Sequence, residues 1–401
     1  MKLVPFSAQY LRLDEPLPFG LRDASGRLLL GAGLRIADRA QLQELANVPL
    51  FADETESAGW TRRLAVAVNA AMLGGGSLMD VAAARPEAVS REAPVPVALS
   101  FSEQWHELVN QLDGALREVR PGTDWRSRLF AVHGRARLLV QKRPDASLYH
   151  LVYEAGHSTQ KYSCSHALLA MVMGEQAAAM LNWAPAWVDS LGRAALTMNL
   201  AMLRLQDQLA SSQLPPTVEM RAEIEAHPEV GARLLEAGGF GDPLCLAVVR
   251  LHHDAGQPEQ TLAELSPERQ LARLLRRVDI FAAKISRRAA RAPMSPVQAA
   301  REACLGAGGV PDEIGGALLK AVGLYPPGSF VELINGEVGI VVARGRRANL
   351  PYVASLVGAS GSPLGEPALR DTIDRRYAVK AAVPPASVKV RPPHERLLAM
   401  R

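Results

Sequence analysis

The sequence predicts a mainly α-helical protein in which a helical bundle is flanked at both ends by small β-rich modules. From Phe101 to about Gly323, apolar residues recur three and four positions apart in successive segments, as on the buried face of a helix. On either side of this interval, short apolar or β-branched runs are separated by turn residues, a pattern typical of strands. These observations together favour one helical domain between two smaller β structures.

The amino-terminal module is predicted from a strand, a turn and a second strand. In the segment LPFGLRDASGRLLLGAGLRI, Asp23 and Gly26 supply the turn between two apolar runs. A short helix is expected to follow over about residues 38–46.

The carboxy-terminal module is predicted from a hairpin signal. Asn335-Gly336 lies between two β-branched runs, the strongest short signal for a β-hairpin. The final residues, RPPHERLLAM, are expected to form a loose tail. The expected segments are a β-rich module (1–60), a linker (61–100), a helical domain (101–323), a β module (324–391) and the tail (392–401).

Composition restricts the class of protein. The chain has 401 residues, of which 48% are hydrophobic, and a formal net charge of +4. Its arginines are scattered rather than clustered, so no nucleic-acid partner is expected. The three cysteines form no CxxC pair, which suits a reducing cytosol. The chain shows no signal peptide and no uncharged apolar run of roughly 18 residues, so we expect a cytoplasmic protein without a membrane span.

Candidate metal ligands stand out among the ionisable residues of the helical domain. Four of the nine histidines and one aspartate fall on apolar helical faces or at helix ends: His166, His227, His252, His253 and Asp279. Imidazoles and a carboxylate that converge from several helices are how metal sites are built in bundle cores. The other five histidines share no such pattern.

The same residues also have a purely structural interpretation. His252 and His253 can be histidines favoured at a helix C-terminus by the helix dipole. His227 can serve only to bond a carbonyl, and Pro228 after it is expected to begin a new helix, where its missing N–H costs nothing.

The order of these residues resembles the HD-GYP proteins, a branch of the HD superfamily of metal-dependent phosphohydrolases. The resemblance runs from about Tyr162 to Tyr325 and rests on His166 as the first histidine, HPEVG (227–231), HHD (252–254) and DIFAAKISRR (279–288). The segment YPPGS that follows resembles the start of the short β tail often found after this domain. The resemblance implies an HD-type helical bundle, bound metal ions and phosphodiesterase activity on cyclic di-GMP.

The sequence departs from the family pattern where a His-Asp pair and a lysine are expected. Register places Met198 at the histidine, Asn199 at the aspartate and Met202 at the lysine. An amide has one oxygen and no charge with which to bridge two cations, and a thioether is a poor ligand for hard divalent ions. Met202 removes a cation that would stabilise phosphate charge. Asp254 stands where the family has glutamate, and the Gly-Tyr-Pro loop is missing.

These features lead to two hypotheses. In the first, the chain is an HD-GYP-like phosphohydrolase of bacterial cyclic-dinucleotide signalling with impaired or absent phosphodiesterase activity. His227, His252 and His253 would then bind one divalent ion, zinc-, iron- or manganese-like, and His166 with Asp279 would form a weaker half-site. In the second, the domain is a catalytically silent scaffold or sensor that binds cyclic di-GMP or a signalling protein without hydrolysis. Both hypotheses are also compatible with a protein that binds no metal.

Overall fold

The computed structural model describes residues 2–13, 15–36, 39–73, 99–254, 260–306 and 309–400. Over these residues the chain is mainly helical and has a small antiparallel sheet toward each end, which confirms the predicted fold class. It divides into two compact units, Met1–Asn110 and Gln111–Arg401. Within the described ranges, no helix combines the length and the apolar character that crossing a bilayer requires.

The first unit contains a four-stranded sheet in the strand order β1-β4-β2-β3. Its elements are β1 (Leu3–Phe6), β2 (Leu21–Arg22), β3 (Leu28–Leu30), α1 (Arg39–Ala46), β4 (Leu50–Asp53), α2 (Glu54–Leu73) and the first part of α3 (Phe101–Arg117). The turn between β2 and β3 is the predicted one: Asp23 Oδ1 accepts hydrogen bonds from the backbone N–H groups of Ser25 and Arg27, and Gly26 has a φ of +87°.

Helix α2 differs from the expectation of a linker that starts at residue 61. The helix continues through Leu73, because the segment TRRLAVAVNAAML is rich in alanine and leucine, which favour helix over extended chain. Residues 74–98 of the predicted linker lie outside the described residues.

The second unit begins with a succession of helices. They are α4 (Trp125–Lys142), α5 (Pro144–His157), α6 (Tyr162–Met180), α7 (Pro185–Thr197), α8 (Leu203–Ser211), α9 (Val218–Ala237), α10 (Pro243–Leu251), α11 (Pro267–Ile285), α12 (Pro296–Cys304) and α13 (Glu313–Val322). Helix α6 is apolar on all sides, as expected of a helix in the middle of a bundle, and packs against α5, α7, α8, α11 and α13. This central position buries His166, which α6 carries.

The helices that carry the other candidate ligands are neighbours. Helix α10 packs against α7, α9 and α11, and α11 also packs against α6. Helix α9 runs without a break through Pro228, so the expectation that this proline begins a helix is wrong. A proline is tolerated at this interior position because the carbonyl that it leaves without a backbone donor bonds to a side chain, as described below.

A five-stranded antiparallel sheet follows the helices, in the order β8-β7-β6-β5-β9. Its strands are β5 (Phe330–Leu333), β6 (Val338–Ala343), β7 (Tyr352–Val357), β8 (Pro363–Asp371) and β9 (Val379–Val383). The β5–β6 hairpin turns at Asn335-Gly336, where Gly336 has a φ of +84°, as the sequence predicted. Gly328, before β5, approaches α5 so closely that a Cβ atom there would overlap the Tyr149 carbonyl oxygen.

The last residues are ordered on the bundle instead of forming the loose tail that we expected. They form the short helix α14 (His394–Leu398), in which Leu397 and Leu398 are buried. Tyr149 Oη lies 3.1 Å from His394 Nδ1, and Arg143 donates a hydrogen bond to the Leu398 carbonyl. The two leucines stabilise this docking because they are the apolar surface that the tail can remove from water.

Candidate metal centre

Three of the predicted ligands come together in the structure. His227 lies in the middle of α9, and His252 and His253 directly follow α10. Their ligand atoms all lie within 4.8 Å of one another. His227 and His252 are each 1% exposed, whereas His253 is exposed, so the cluster reaches from the interior to the surface. A search of the described residues for three or more histidine, cysteine or acidic side chains with ligand atoms this close together finds this cluster.

The two buried imidazoles are held in the same protonation form by backbone carbonyls. His227 Nδ1–H donates to the Ile224 carbonyl at 2.5 Å, and His252 Nδ1–H donates to the Val249 carbonyl at 2.7 Å. In a neutral imidazole the other nitrogen then carries the lone pair. The Nε2 atoms of His227 and His252 therefore face each other as two acceptors, 3.2 Å apart.

Two facing acceptors repel each other unless a positive charge lies between or beside them. A proton is a poor candidate, because burial lowers the pKa of His227 and lowers that of His252 to about 3. The neighbouring His253 lowers the pKa of His252 further. At neutral pH both Nε2 lone pairs are thus available to a ligand.

The spacing fits a metal ion. Nitrogen ligands at the zinc–nitrogen distance of about 2.0–2.1 Å in tetrahedral geometry lie roughly 3.3 Å apart. The 3.2 Å between His227 Nε2 and His252 Nε2 is close to this value. The ring of His253 lies with its centroid 5.0 Å from that of His227 and 4.3 Å from that of His252, which makes it the third possible ligand. The three residues together could therefore hold one metal ion.

The other two predicted ligands form a pair with each other. His166 Nε2–H donates to Asp279 Oδ1 at 2.7 Å. Burial raises the pKa of Asp279, but the hydrogen bond from His166 and the electrostatic effect of the neighbouring imidazoles outweigh it and lower this pKa to about 2. His166 Nδ1 is buried and has no hydrogen-bond partner among the described residues. Asp279 lies close enough to His252 and His253 to interact with them electrostatically. However, His166 Nε2 and Asp279 Oδ1 are hydrogen-bonded to each other.

The segment that departs from the family pattern lies against the helix of His227. Met198 and Asn199 follow α7 and are buried, and the 3-10 turn from Leu200 to Met202 packs against α9. A Cβ atom at Gly231, one turn after His227, would lie 3.8 Å from the Met198 carbonyl oxygen.

Asp254, at the position where the family resemblance expects glutamate, pairs with an arginine and does not join the histidine cluster. Its Oδ2 accepts a hydrogen bond from Arg269 at 3.1 Å, and both side chains are exposed. Asp254 is not among the residues of the histidine cluster.

A further polar cluster was not predicted from the sequence. It includes His133, one of the five histidines that showed no pattern. His133 Nε2–H donates to Glu175 Oε1 at 2.6 Å, and Arg137 pairs with both Glu175 and Asp189. A Cβ atom at Gly192 would overlap Glu175 Oε1 and would lie 2.5 Å from His133 Nε2. The absent side chain at Gly192 thus makes room for this buried ion pair between α4, α6 and α7.

No family model matches the chain, and no curated protein matches it. Among solved structures, an HDG"Y"P protein from Bdellovibrio bacteriovorus aligns over 79% of this chain and 98% of its own, with 13% sequence identity and a TM-score of 0.42. At this level the likeness does not assign the chain to a family.

Proposed function

We propose that this chain is an HD-GYP-like phosphohydrolase that binds a single divalent ion through His227, His252 and His253 and whose phosphodiesterase activity is impaired or absent. The observation that carries the proposal is the pair of Nε2 atoms held 3.2 Å apart by carbonyl-bound imidazoles. The chain order of the ligands and the HPEVG and HHD segments supports the choice of family.

The residues present are the reason to expect weak or absent hydrolysis. A bound divalent ion supplies a Lewis acid that lowers the pKa of a coordinated water. His227 and His252 would hold such an ion, and Asp279, itself oriented by His166, would contribute negative charge nearby. Asn199 and Met198 provide neither a bridging carboxylate nor an imidazole, so these two positions cannot hold the second ion of a two-metal clamp on a phosphodiester.

The second candidate function is that of a scaffold or sensor that binds cyclic di-GMP or a signalling protein without cleaving it. The burial of Met198, which is 0% exposed, favours this candidate, since an apolar side chain fills a position that the family resemblance assigns to a ligand. The first candidate predicts slow turnover, whereas the second predicts binding alone.

Metal analysis combined with a nucleotide assay tests both candidates. The purified 401-residue chain, stripped with a chelator and reloaded with zinc, iron or manganese, is expected to bind about one ion per chain. Cyclic di-GMP binding is measured by calorimetry and cleavage by chromatography. Turnover that disappears on chelation supports the hydrolase, and binding without turnover supports the scaffold. A chain that takes up no ion under any of these conditions contradicts the proposed site.

Restoring the expected ligands should create a second metal site. We expect the double variant Met198→His with Asn199→Asp to raise the metal content from about one to about two ions per chain, because it supplies a ligand and a bridging carboxylate. The matched control is Met198→Leu with Asn199→Ser, which changes the same positions without adding a strong ligand. Elemental analysis and calorimetric stoichiometry measure the result. Unchanged metal content in the double variant would show that the register of this segment is wrong.

A further inference from the structure

A proline lies in the interior of the helix that carries His227. Helix α9 runs from Val218 to Ala237, and Pro228 follows His227 in its second half. A helical residue normally donates its N–H to the carbonyl four residues earlier, but proline has no N–H. The carbonyl of Ile224 therefore lacks its helical donor.

The side chain of His227 uses the acceptor that Pro228 leaves open. His227 Nδ1–H donates to the Ile224 carbonyl at 2.5 Å. Any residue other than proline at 228 would present an N–H to the same carbonyl from within the helix. The proline and the side-chain hydrogen bond are thus linked through one acceptor.

His252 makes the same type of hydrogen bond as His227, but at the end of a helix. Helix α10 ends at Leu251, so the Val249 carbonyl belongs to the last turn, where helical donors run out. His252 Nδ1–H donates to this carbonyl at 2.7 Å. A helix end supplies a free carbonyl for one imidazole, and a proline supplies it for the other.

We propose that Pro228 is a positioning residue for the histidine cluster: by withholding its backbone N–H, it removes a donor that would compete with His227 for the Ile224 carbonyl and so favours the orientation in which the Nε2 lone pair of His227 faces that of His252. This inference rests on the proposed metal site. It assigns Pro228 a role in ligand geometry, in addition to any effect on the shape of α9. Hydrogen-bond partners that fix the orientation and the protonated nitrogen of a ligating imidazole raise its affinity for metal.

The variant Pro228→Ala tests this role because it returns the N–H with little change in volume. We expect its affinity for zinc to fall by about 10-fold, the low end of the usual cost of losing a hydrogen-bond partner of a metal ligand, because the returned N–H competes for the Ile224 carbonyl and does not remove it. We also expect the metal-free protein to unfold at an equal or higher temperature, since alanine is favoured over proline inside a helix. A purely structural proline would not produce weaker metal binding together with equal or greater thermal stability.

Nitrogen NMR provides a readout that does not depend on metal. In the metal-free wild type, His227 should show a protonated Nδ1 and an unprotonated Nε2, and Pro228→Ala should show a mixture of the two neutral forms. The matched control is Pro267→Ala at the first turn of α11, where the missing N–H has no helical acceptor to begin with. This control should leave zinc affinity and the His227 spectrum unchanged. Pro228→Gly returns the same N–H and serves if the alanine variant fails to fold.

The outcomes separate this inference from the proposal on which it rests. Weaker zinc binding and a mixed His227 spectrum in the Pro228 variants support the positioning role. Wild-type affinity in those variants overturns the role while the metal site stands. A wild-type protein that binds no zinc overturns both.

Discussion

Replacing His252 with alanine is expected to lower the affinity of the protein for zinc by more than about a hundredfold. The substitution removes one of the two buried ligands, whereas losing only a hydrogen-bond partner of a ligand already costs about 10- to 100-fold. The remaining buried nitrogen, His227 Nε2, would keep only the exposed His253 as a companion in the cluster. Calorimetry or competition with a chelating dye measures the change.

The control for this experiment is His394→Ala. It removes an imidazole from the same unit, where His394 contacts Tyr149 and not the histidine cluster. We expect His394→Ala to bind zinc with wild-type affinity, and circular dichroism verifies that both variants are folded. Equal zinc affinity in His252→Ala and in the wild type would mean that the bound ion lies elsewhere on the protein.

The substitution Gly192→Ala is expected to lower the free energy of unfolding by about 3 kcal/mol or more, the usual cost of breaking a buried ion pair. The new methyl group would overlap Glu175 Oε1 and crowd His133 Nε2. Glu175 must then move away from His133 and Arg137, which leaves a buried charge without its partners. Chemical denaturation followed by circular dichroism measures the effect.

Gly134→Ala is the matched control because Gly134 also lies within a helix, α4, but no described residue outside its own helical turn places an atom within 4 Å of the Cβ position. Alanine there should stabilise the protein by up to about 1 kcal/mol through helix propensity alone. The two glycine substitutions are thus expected to change stability in opposite directions. A small or favourable effect of Gly192→Ala would show that the His133–Glu175 pair adapts without cost.

Local sequence patterns correctly predicted those turns and helices that are determined by neighbouring residues. The turns at Asp23–Gly26 and Asn335-Gly336 follow from residues that adopt or stabilise a positive φ, and both occur as predicted. The apolar face around His166 predicted a buried helix, and α6 is the central helix of its unit. Such features need no knowledge of distant parts of the chain.

Features that depend on distant partners could not be predicted from local patterns. His133 and Glu175 are 42 residues apart in sequence, and neither segment shows a sign of the other. The docking of Leu397 and Leu398 likewise depends on a surface formed by other helices. The sequence predicts a helix start at Pro228, because proline is frequent in the first turn of helices. In the structure Pro228 lies inside α9, where the side chain of His227 donates to the carbonyl that proline leaves without a partner.

The histidine cluster consists of neutral ligands, and this neutrality has a consequence for ion selectivity. Magnesium and calcium prefer charged or carbonyl oxygen atoms, so three imidazoles discriminate against both, however abundant they are. A borderline ion held there would keep most of its double charge, since the three imidazoles that would bind it are neutral ligands. The exposed side of the cluster at His253 would then attract anions from solution.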